Sequence, residues 1–176
     1  MAEITIGSML PEDWPAVRLI YAEGIATGHA TFETEPPDWE AWNRNHHAKC
    51  RLVARAGDEV VAWAAISPVS ARACYAGIAE HSIYVDASQR GKGIGKRLLG
   101  AFVEASESAG FWTLQSSIFP ENRASIAIHL ACGFRILGRR KRVAMLNGVW
   151  RDTVMVERRS RVVGMERGSI CAPSPP

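Results

Sequence analysis

A glycine-rich, basic segment is the part of this sequence whose residue types and spacing could most directly do chemistry. It runs from Gln89 to Lys96 as QRGKGIGK, after the strand-like run Ser82 to Val85 and before an amphipathic helical pattern. Glycines let backbone N–H groups approach an anion closely, and the N-terminus of a helix favours negative charge. The segment therefore predicts a phosphate-binding loop, while a tight strand-to-helix turn without a ligand would use the same glycines.

The spacing of this segment excludes two common nucleotide-binding loops. A dinucleotide-binding loop would need a third glycine where Lys96 stands. A Walker loop would need a glycine in place of Arg90 and a serine or threonine in place of Arg97. The pattern that remains is R-x-x-G-x-G, formed by Arg90, Gly93 and Gly95.

A second charged feature lies near the C-terminal end of the sequence. Arg135 and the run 139–142 (RRKR) fall in a predicted strand-and-turn region with few aromatic residues. Such a pattern is typical of a solvated face, which can also steer an anionic ligand toward the protein, rather than of a nucleic-acid-binding surface.

The rest of the sequence predicts the elements that position these residues. Runs of strand-forming residues cover 4–6, 51–56, 60–67, 79–85, 113–118, 134–146 and 149–157. Helical patterns begin at Pro11, at Asp38, after Gly95 and at residue 124, and the second of them extends to about Lys49. The order β-α-α-β-β-β-α-β-α-β-β is typical of an α/β fold with a mixed sheet.

Length and charge bound the class of protein. The chain has 176 residues and a net charge of +3, which indicates one domain (1–159) and, because 160–176 is rich in Gly, Ser and Pro, a loose C-terminal tail. The two longest uncharged stretches, 60–71 and 108–120, are much shorter than the roughly 20 apolar residues of a membrane-spanning helix. We therefore expect a cytoplasmic protein that binds neither membranes nor nucleic acid. No CxxC spacing occurs, so no metal site is predicted.

The pattern of Arg90, Gly93 and Gly95 resembles the pyrophosphate loop of the GCN5-related N-acetyltransferases (the GNAT family), which bind acetyl-CoA. Asn122-x-x-Ser125 and Gly133-Phe134 are similar to the family's second cofactor segment, and the resemblance covers residues 3–157. It implies a mixed, mostly antiparallel sheet flanked by helices, with acetyl-CoA in a splay between two central strands. The cofactor contacts implied are Ile83, Val85, Arg90, Gly91, Lys92, Gly93, Ile94, Gly95, Asn122 and Ser125.

Four further segments resemble one branch of this family, which acetylates phosphinothricin and methionine sulfoximine. They are 30–33 (ATFE), 80–85 (EHSIYV), 125–129 (SIAIH) and 148–152 (GVWRD). The branch implies that the α-amino group of a small amino acid such as these, or methionine sulfone, attacks the acetyl thioester directly, and it links the chain to antibiotic or herbicide resistance. The alternatives are another acceptor, a peptide N-terminus or an aminoglycoside, and a CoA-binding module without turnover.

Glu80 and His129 are the catalytic residues that this resemblance implies. Acyl transfer to an amine needs the neutral amine, and a carboxylate at Glu80 can remove the proton of the ammonium form. Much of the family has a tyrosine that protonates the CoA thiolate where this sequence has His129. A histidine on an apolar helix is as often a hydrogen-bonded core residue, so both roles of His129 stay open.

The acceptor site is expected to be lined by Phe32, Arg72, Tyr75, Glu80, His81 and Ser82. An amino acid carries an α-carboxylate, and arginine is the side chain best suited to bind one through two hydrogen bonds. Arg72, in the loop before the Glu80 strand, is the expected partner, and a solvated loop arginine is the alternative. A homodimer is a further possibility that the family raises.

Overall fold

The computed structural model describes residues 3–165, and these form a seven-stranded sheet with four α-helices. The strands are β1 (Ile4–Ser8), β2 (Leu52–Ala56), β3 (Glu59–Pro68), β4 (Ile78–Val85), β5 (Thr113–Ile118), β6 (Arg135–Leu146) and β7 (Val149–Arg159). The helices are α1 (Trp14–Ala26), α2 (Trp39–Asn45), α3 (Ile94–Ser108) and α4 (Arg123–Ala131). This is the predicted order of elements, so the α/β class with a mixed sheet is confirmed.

The strand order β1-β2-β3-β4-β5-β7-β6 contains one parallel pair, β4 with β5. That pair is short: Ile78 lies opposite Thr113, and Glu80 opposite Gln115 is its last position. Beyond Glu80, β4 remains paired with β3, whereas β5 remains paired with β7. The sheet therefore opens between β4 and β5 into a fork with Glu80 at its apex, which is the splay that the sequence predicted.

The two faces of the sheet carry separate cores. On one face, α3 packs Leu98, Leu99 and Phe102 against the strands; on the other, α1 and α2 pack Val17 and Trp42 against them. Because side chains alternate along a strand, β4 gives Ala79, Ile83 and Val85 to the α3 face and Tyr84 to the α1 face. Glu80 has the same parity as Tyr84 and therefore lies on the α1 face.

The predicted C-terminal end of α2 was wrong. The helix ends at Asn45 rather than near Lys49, and His46 already has an extended backbone. The N–H of His47 donates to the carbonyl of Ile66 on β3, at 2.8 Å. Continuing the helix would break this bond to the sheet, a tertiary contact that the local pattern does not contain.

Gly24 also has a role different from the one its type suggests. A glycine inside a helix is destabilising relative to alanine, yet α1 continues past Gly24 to Ala26. A Cβ at Gly24 would lie 2.5 Å from the ring of Tyr84. The missing side chain therefore allows α1 to approach β4 closely.

The segment after β7 is held at its start. Ser160 is buried, and its N–H donates to the carbonyl of Trp112 at 2.8 Å. The Arg159 guanidinium donates to the carbonyls of Trp112, Val163 and Gly164. The rest of the expected tail, 166–176, lies outside the described residues, so the division into a domain and a tail stays a prediction.

Candidate active site

Two adjoining cavities lie at the fork between β4 and β5. The smaller, of about 280 Å³, is lined by Glu80 and its neighbours on β4 and by the loop that joins α1 to α2 (the α1–α2 loop, residues 27–38). The larger, of about 640 Å³, lies against the 89–96 segment and the start of α3. The residues that line both are Ala30, Ile83, Tyr84, Asn122 and Ser125. A ligand in one cavity is therefore next to a ligand in the other.

The start of α3 presents backbone N–H groups to the larger cavity. Gly93 is the N-cap with a φ of 80°, a left-handed conformation that glycine adopts without strain. The N–H of Arg97 donates to the carbonyl of Gly93 in the first turn. The N–H groups of residues 94–96 therefore have no partner within the helix and are available to an anion.

The loop before α3 is fixed at both ends. The N–H of Asp86 donates to the carbonyl of Val61 at 2.9 Å, and Nε of Arg90 donates to the carbonyl of Val85 at 3.2 Å. Of the ten residues predicted to contact the cofactor, nine line the larger cavity: Ile83, Val85, Arg90, Gly91, Gly93, Ile94, Gly95, Asn122 and Ser125. The tenth, Lys92, is not part of that lining, but its Nζ donates at 3.0 Å to Oε1 of Gln89, which is.

The smaller cavity is lined by carboxylates and hydroxyls. Glu80 is half-buried at the apex of the fork, and the exposed Glu33 belongs to the α1–α2 loop. Ser82, Ser116 and Ser117 contribute hydroxyls from β4 and β5. Among the described residues that line this cavity, none is a lysine or an arginine. Its charge therefore favours an acceptor that carries an ammonium group.

A pair of buried histidines forms one wall of the smaller cavity. Nε2 of His81 lies 2.8 Å from Nε2 of His129, and both side chains are at most 2% exposed. Burial, with a smaller contribution from His129, lowers the pKa of His81 to about 3. Burial also lowers the pKa of His129. Both rings are therefore neutral near pH 7.

The hydrogen bonds of His129 fix the tautomers of this pair. Nδ1 of His129 lies 2.6 Å from the carbonyl of Ser125, which can only accept, so Nδ1 carries the proton. Nε2 of neutral His129 must then accept from Nε2–H of His81. This leaves Nδ1 of His81 as a buried acceptor without a hydrogen-bond partner among the described residues. Both ring nitrogens of His129 form hydrogen bonds, so the ring has a fixed orientation in the wall of the cavity.

The α1–α2 loop is held against the start of β7 and the start of α4. Nδ2 of Asn122 donates to the carbonyl of His29 at 3.3 Å, and Nη1 of Arg151 donates to the carbonyl of Gly28 at 3.0 Å. Phe32 meets Phe119 edge to face with ring centroids 4.8 Å apart. These contacts set the position of Phe32 and Glu33 beside the smaller cavity.

Two of the predicted acceptor residues are placed elsewhere. Phe32, Glu80, His81 and Ser82 line the smaller cavity, as does His129. Arg72 and Tyr75 are exposed and lie outside the linings of both cavities, with the Arg72 guanidinium 5.6 Å from the centre of the Tyr75 ring. Binding of a carboxylate by Arg72 stays a prediction.

Several residues of the site were not singled out from the sequence. Tyr84 lines both cavities, and Ser116 and Ser117 line the smaller one. The alternation of Glu80, Ser82 and Tyr84 along β4 could have indicated Tyr84, since the three share a face. The two adjacent serines of β5 were a comparable signal.

Residues 3–165 contain neither a membrane-spanning helix nor a cluster of metal ligands. No helix there has the length and apolar character to cross a membrane. No three His, Cys, Asp or Glu side chains in the same range gather in a way that could hold a metal ion.

Comparison with known proteins connects this geometry to one family. The model of the acetyltransferase (GNAT) family matches residues 14–134. A phosphinothricin N-acetyltransferase of Alcaligenes faecalis is 30% identical over 164 residues, which cover 88% of this chain and 81% of that protein. An L-methionine sulfoximine/L-methionine sulfone acetyltransferase of Pseudomonas aeruginosa is 32% identical over 151 residues, covering 82% and 88%.

A solved structure agrees with the fold as well. The crystal structure of a GNAT superfamily phosphinothricin acetyltransferase from Sinorhizobium meliloti, in complex with acetyl-CoA, superposes with a TM-score of 0.83 at 28% identity. The superposition covers 96% of this chain and 94% of that one. The predicted fold is thereby confirmed, and this chain belongs to the GNAT family of acetyltransferases.

Proposed function

We propose that this acetyltransferase transfers the acetyl group of acetyl-CoA to the α-amino group of a small amino acid, with phosphinothricin, methionine sulfoximine and methionine sulfone as candidate acceptors. The observation that carries the proposal is the meeting of the two cavities at the fork, where Glu80 stands beside the space for an acyl donor. The names of the two relatives, from Alcaligenes and Pseudomonas, support this class of acceptor.

The residues of the larger cavity fit acetyl-CoA. The free N–H groups of 94–96 can bind the pyrophosphate, and Arg90 and Lys96 supply positive charge at the same wall. Beyond Glu80, the edge of β4 that faces the fork is not paired with β5, so its backbone groups near Ile83 and Val85 are available to the amides of the pantetheine arm. When bound, acetyl-CoA supplies an activated thioester.

Glu80 is the general base in this proposal. The ammonium group of the acceptor is attracted to the carboxylates of Glu80 and Glu33, and Glu80 removes a proton to give the neutral amine. That amine attacks the thioester carbonyl directly, so the C–N bond forms and the C–S bond breaks. CoA leaves as the thiolate, and the nitrogen loses its second proton as it becomes the amide, which balances the proton that the thiolate takes up to become the thiol. His129 stays a candidate for returning a proton to that thiolate. To do so, one of its ring nitrogens would first have to break its hydrogen bond to Ser125 or to His81.

One observation favours a second candidate function. A groove rich in carboxylates suits an aminoglycoside, which carries several ammonium groups. The smaller cavity has Glu33 and Glu80 and no lysine or arginine among its described lining. An acceptor with several ammonium groups and no carboxylate is therefore the alternative.

A panel of acceptor amines tests both candidates. The purified protein is given acetyl-CoA with each amino acid, with an aminoglycoside, and with a short peptide that has a free N-terminus, and released thiol is measured. We expect the highest kcat/KM for an amino acid of the phosphinothricin and methionine sulfone type. Faster turnover of the aminoglycoside would support the second candidate, and no thiol release with any amine would contradict both.

A further inference from the structure

The hairpin of β6 and β7 is rich in arginines, and most of them are neutralised by a neighbouring carboxylate. The hairpin arginines paired in this way are Arg135 with Glu157, Arg139 with Asp152, Arg151 with Glu121 and Arg158 with Glu107. Within residues 3–165, the guanidinium groups of Arg140, Arg142 and Arg159 have no carboxylate partner. Of these three hairpin arginines, Arg140 is the one whose side-chain hydrogen bonds go to two hydroxyls. Its positive charge is therefore available to an anion.

The side chain of Arg140 is held at the rim of the smaller cavity. Nη2 donates to Oγ of Ser117 at 2.9 Å, and Nε donates to Oγ1 of the buried Thr153 at 3.3 Å. Ser117 itself lines the cavity. The Ser117 and Thr153 hydroxyls thus hold the guanidinium next to the side of the smaller cavity that β5 forms.

An irregularity in β6 accompanies this placement. The register changes from Arg140 opposite Thr153 to Ala144 opposite Arg151, and Arg142 has a φ of 49°. The N–H of Arg142 donates to Oδ1 of Asp152, which stabilises the bulge, whereas the exposed ion pair of Arg139 with the same carboxylate adds little. Bulges of this kind are common beside active sites, where they redirect a side chain. Here, the side chains of Arg139 and Arg140 lie on opposite faces of the strand.

The spacing between Glu80 and Ser117, which holds Arg140, suits a small amino acid. Glu80 lies opposite Gln115, about 4.8 Å away on the neighbouring strand, and Ser117 is two residues further along β5, roughly 7 Å at about 3.3 Å per residue. The backbone positions of Glu80 and Ser117 are therefore roughly 8 Å apart. An amino acid whose amine meets Glu80 places the end of a side chain of three or four atoms roughly 5 Å from that amine, at bond lengths of about 1.5 Å. The end of the side chain therefore reaches the neighbourhood of Ser117 and the Arg140 guanidinium.

We propose that Arg140 binds the tetrahedral oxygen-bearing group at the end of the acceptor's side chain and sets the preference for acceptors in which that group is anionic. This inference rests on the proposed function. A guanidinium matches two oxygens of a phosphinate with two parallel hydrogen bonds. It also supplies the positive charge that the described lining of the smaller cavity lacks.

The test compares three variants with two acceptors. Arg140→Gln removes the charge, Arg140→Lys keeps the charge without the planar fork, and Arg139→Gln removes the same charge from the opposite face of the strand. L-Phosphinothricin carries an anionic phosphinate, whereas L-methionine sulfone carries a neutral sulfone. KM and kcat for each acceptor, KM for acetyl-CoA and the melting temperature are measured for the wild type and each variant.

We expect Arg140→Gln to raise KM for phosphinothricin at least about tenfold, with kcat and KM for acetyl-CoA changed less than about threefold. The effect on methionine sulfone should be smaller, Arg140→Lys should be intermediate, and Arg139→Gln should resemble the wild type. If the wild type acetylates both amino acids and Arg140→Gln behaves like Arg139→Gln, the assignment of Arg140 is wrong and the proposed function stands. If the wild type acetylates neither, both are wrong.

Discussion

Glu80 is the one carboxylate placed at the point where the parallel pairing of β4 and β5 ends. The backbone on both sides of it is held by β3 and β5, opposite Ser67 and Gln115. Its side chain is therefore presented by a rigid part of the sheet, while the fork begins one residue later. Such a position combines fixed geometry with access to a ligand, which general base catalysis needs.

Replacing Glu80 by Gln keeps the size of the side chain and removes its ability to accept a proton. We expect kcat near neutral pH to fall by roughly 10²- to 10⁴-fold, with an unchanged KM for acetyl-CoA. The loss should shrink at high pH, where the amine loses its proton without help. Steady-state assays between pH 7 and 10 measure this dependence.

Glu33→Gln is the matched control for that variant. It removes the same charge from the same cavity, but from the loop that joins α1 to α2 instead of from the fork. We expect kcat to stay within about threefold of the wild type. Equal losses in kcat for the two variants would show that the cavity needs its negative charge and that Glu80 is not the base.

At the scale of elements, the start of α3 decides whether the larger cavity can bind an anion. Gly93 has positive φ and is followed by the free N–H groups of 94–96. Gly93→Asp adds a strained side chain and a negative charge at this point. We expect KM for acetyl-CoA to rise at least tenfold, about 1.4 kcal/mol.

Gly100→Ala, in the middle of the same helix, controls for a general effect on α3. A Cβ there meets no atom within 4 Å, and alanine favours a helix over glycine. We expect its KM for acetyl-CoA to equal that of the wild type. A folded Gly93→Asp protein with the same KM as Gly100→Ala would refute the pyrophosphate assignment; circular dichroism establishes that both are folded.

The elements were predictable where their signals are local. Turns at glycine and asparagine, the alternation of apolar and polar residues along the strands, and the 89–96 loop all depend on residues that are close in sequence. The order of elements could therefore be predicted from them. The end of α2 was not predictable, because it depends on the bond from His47 to Ile66. The position of Arg140 could not be predicted either, since it requires β7 to lie between β5 and β6 in the sheet.

At the scale of the whole molecule, the two faces of the sheet have different tasks. The α3 face holds a continuous apolar core and the helix whose start adjoins the larger cavity. The α1 face is covered by α1 and α2 over the strands up to β4, and its uncovered part carries Glu80 at the end of the β4–β5 pairing, Ser117 on β5 and Arg140 on β6. In the proposed function, the donor therefore lies against the start of α3 and the acceptor against the uncovered part of the α1 face, and the two meet at the fork.

The same arrangement buries titratable groups, and this makes the stability of the whole fold depend on pH. Burial lowers the pKa of three histidines: His46, stacked on Trp42, and the pair His81 and His129. An unfolded chain protonates histidines as the pH falls through about 6.5, whereas in the folded chain these three take up protons only at lower pH. Since the unfolded chain then binds more protons, the free energy of unfolding rises with pH in this range and falls on acidification.

This dependence can be separated from that of the carboxylates. The pKa values of Glu107, Glu121 and Asp152 are lowered by hydrogen bonds, so the stability that they contribute is lost only at more acidic pH, below about 4.5. Between pH 7.0 and 5.5, the buried histidines therefore account for most of the change.

Replacing His81 by Gln tests whether the histidine pair causes this loss. For a group whose pKa is about 3 in the folded chain, acidification from pH 7.0 to 5.5 costs roughly 1 kcal/mol of the free energy of unfolding. We expect urea unfolding of His81→Gln to show a difference between the two pH values that is smaller by about this amount, even if the variant is less stable at both. His47→Gln, at an exposed histidine, should keep the difference of the wild type. Because Gln does not titrate, an unchanged difference in His81→Gln would mean that the folded chain accepts a proton at His81, and the two rings could then share a proton in the folded protein.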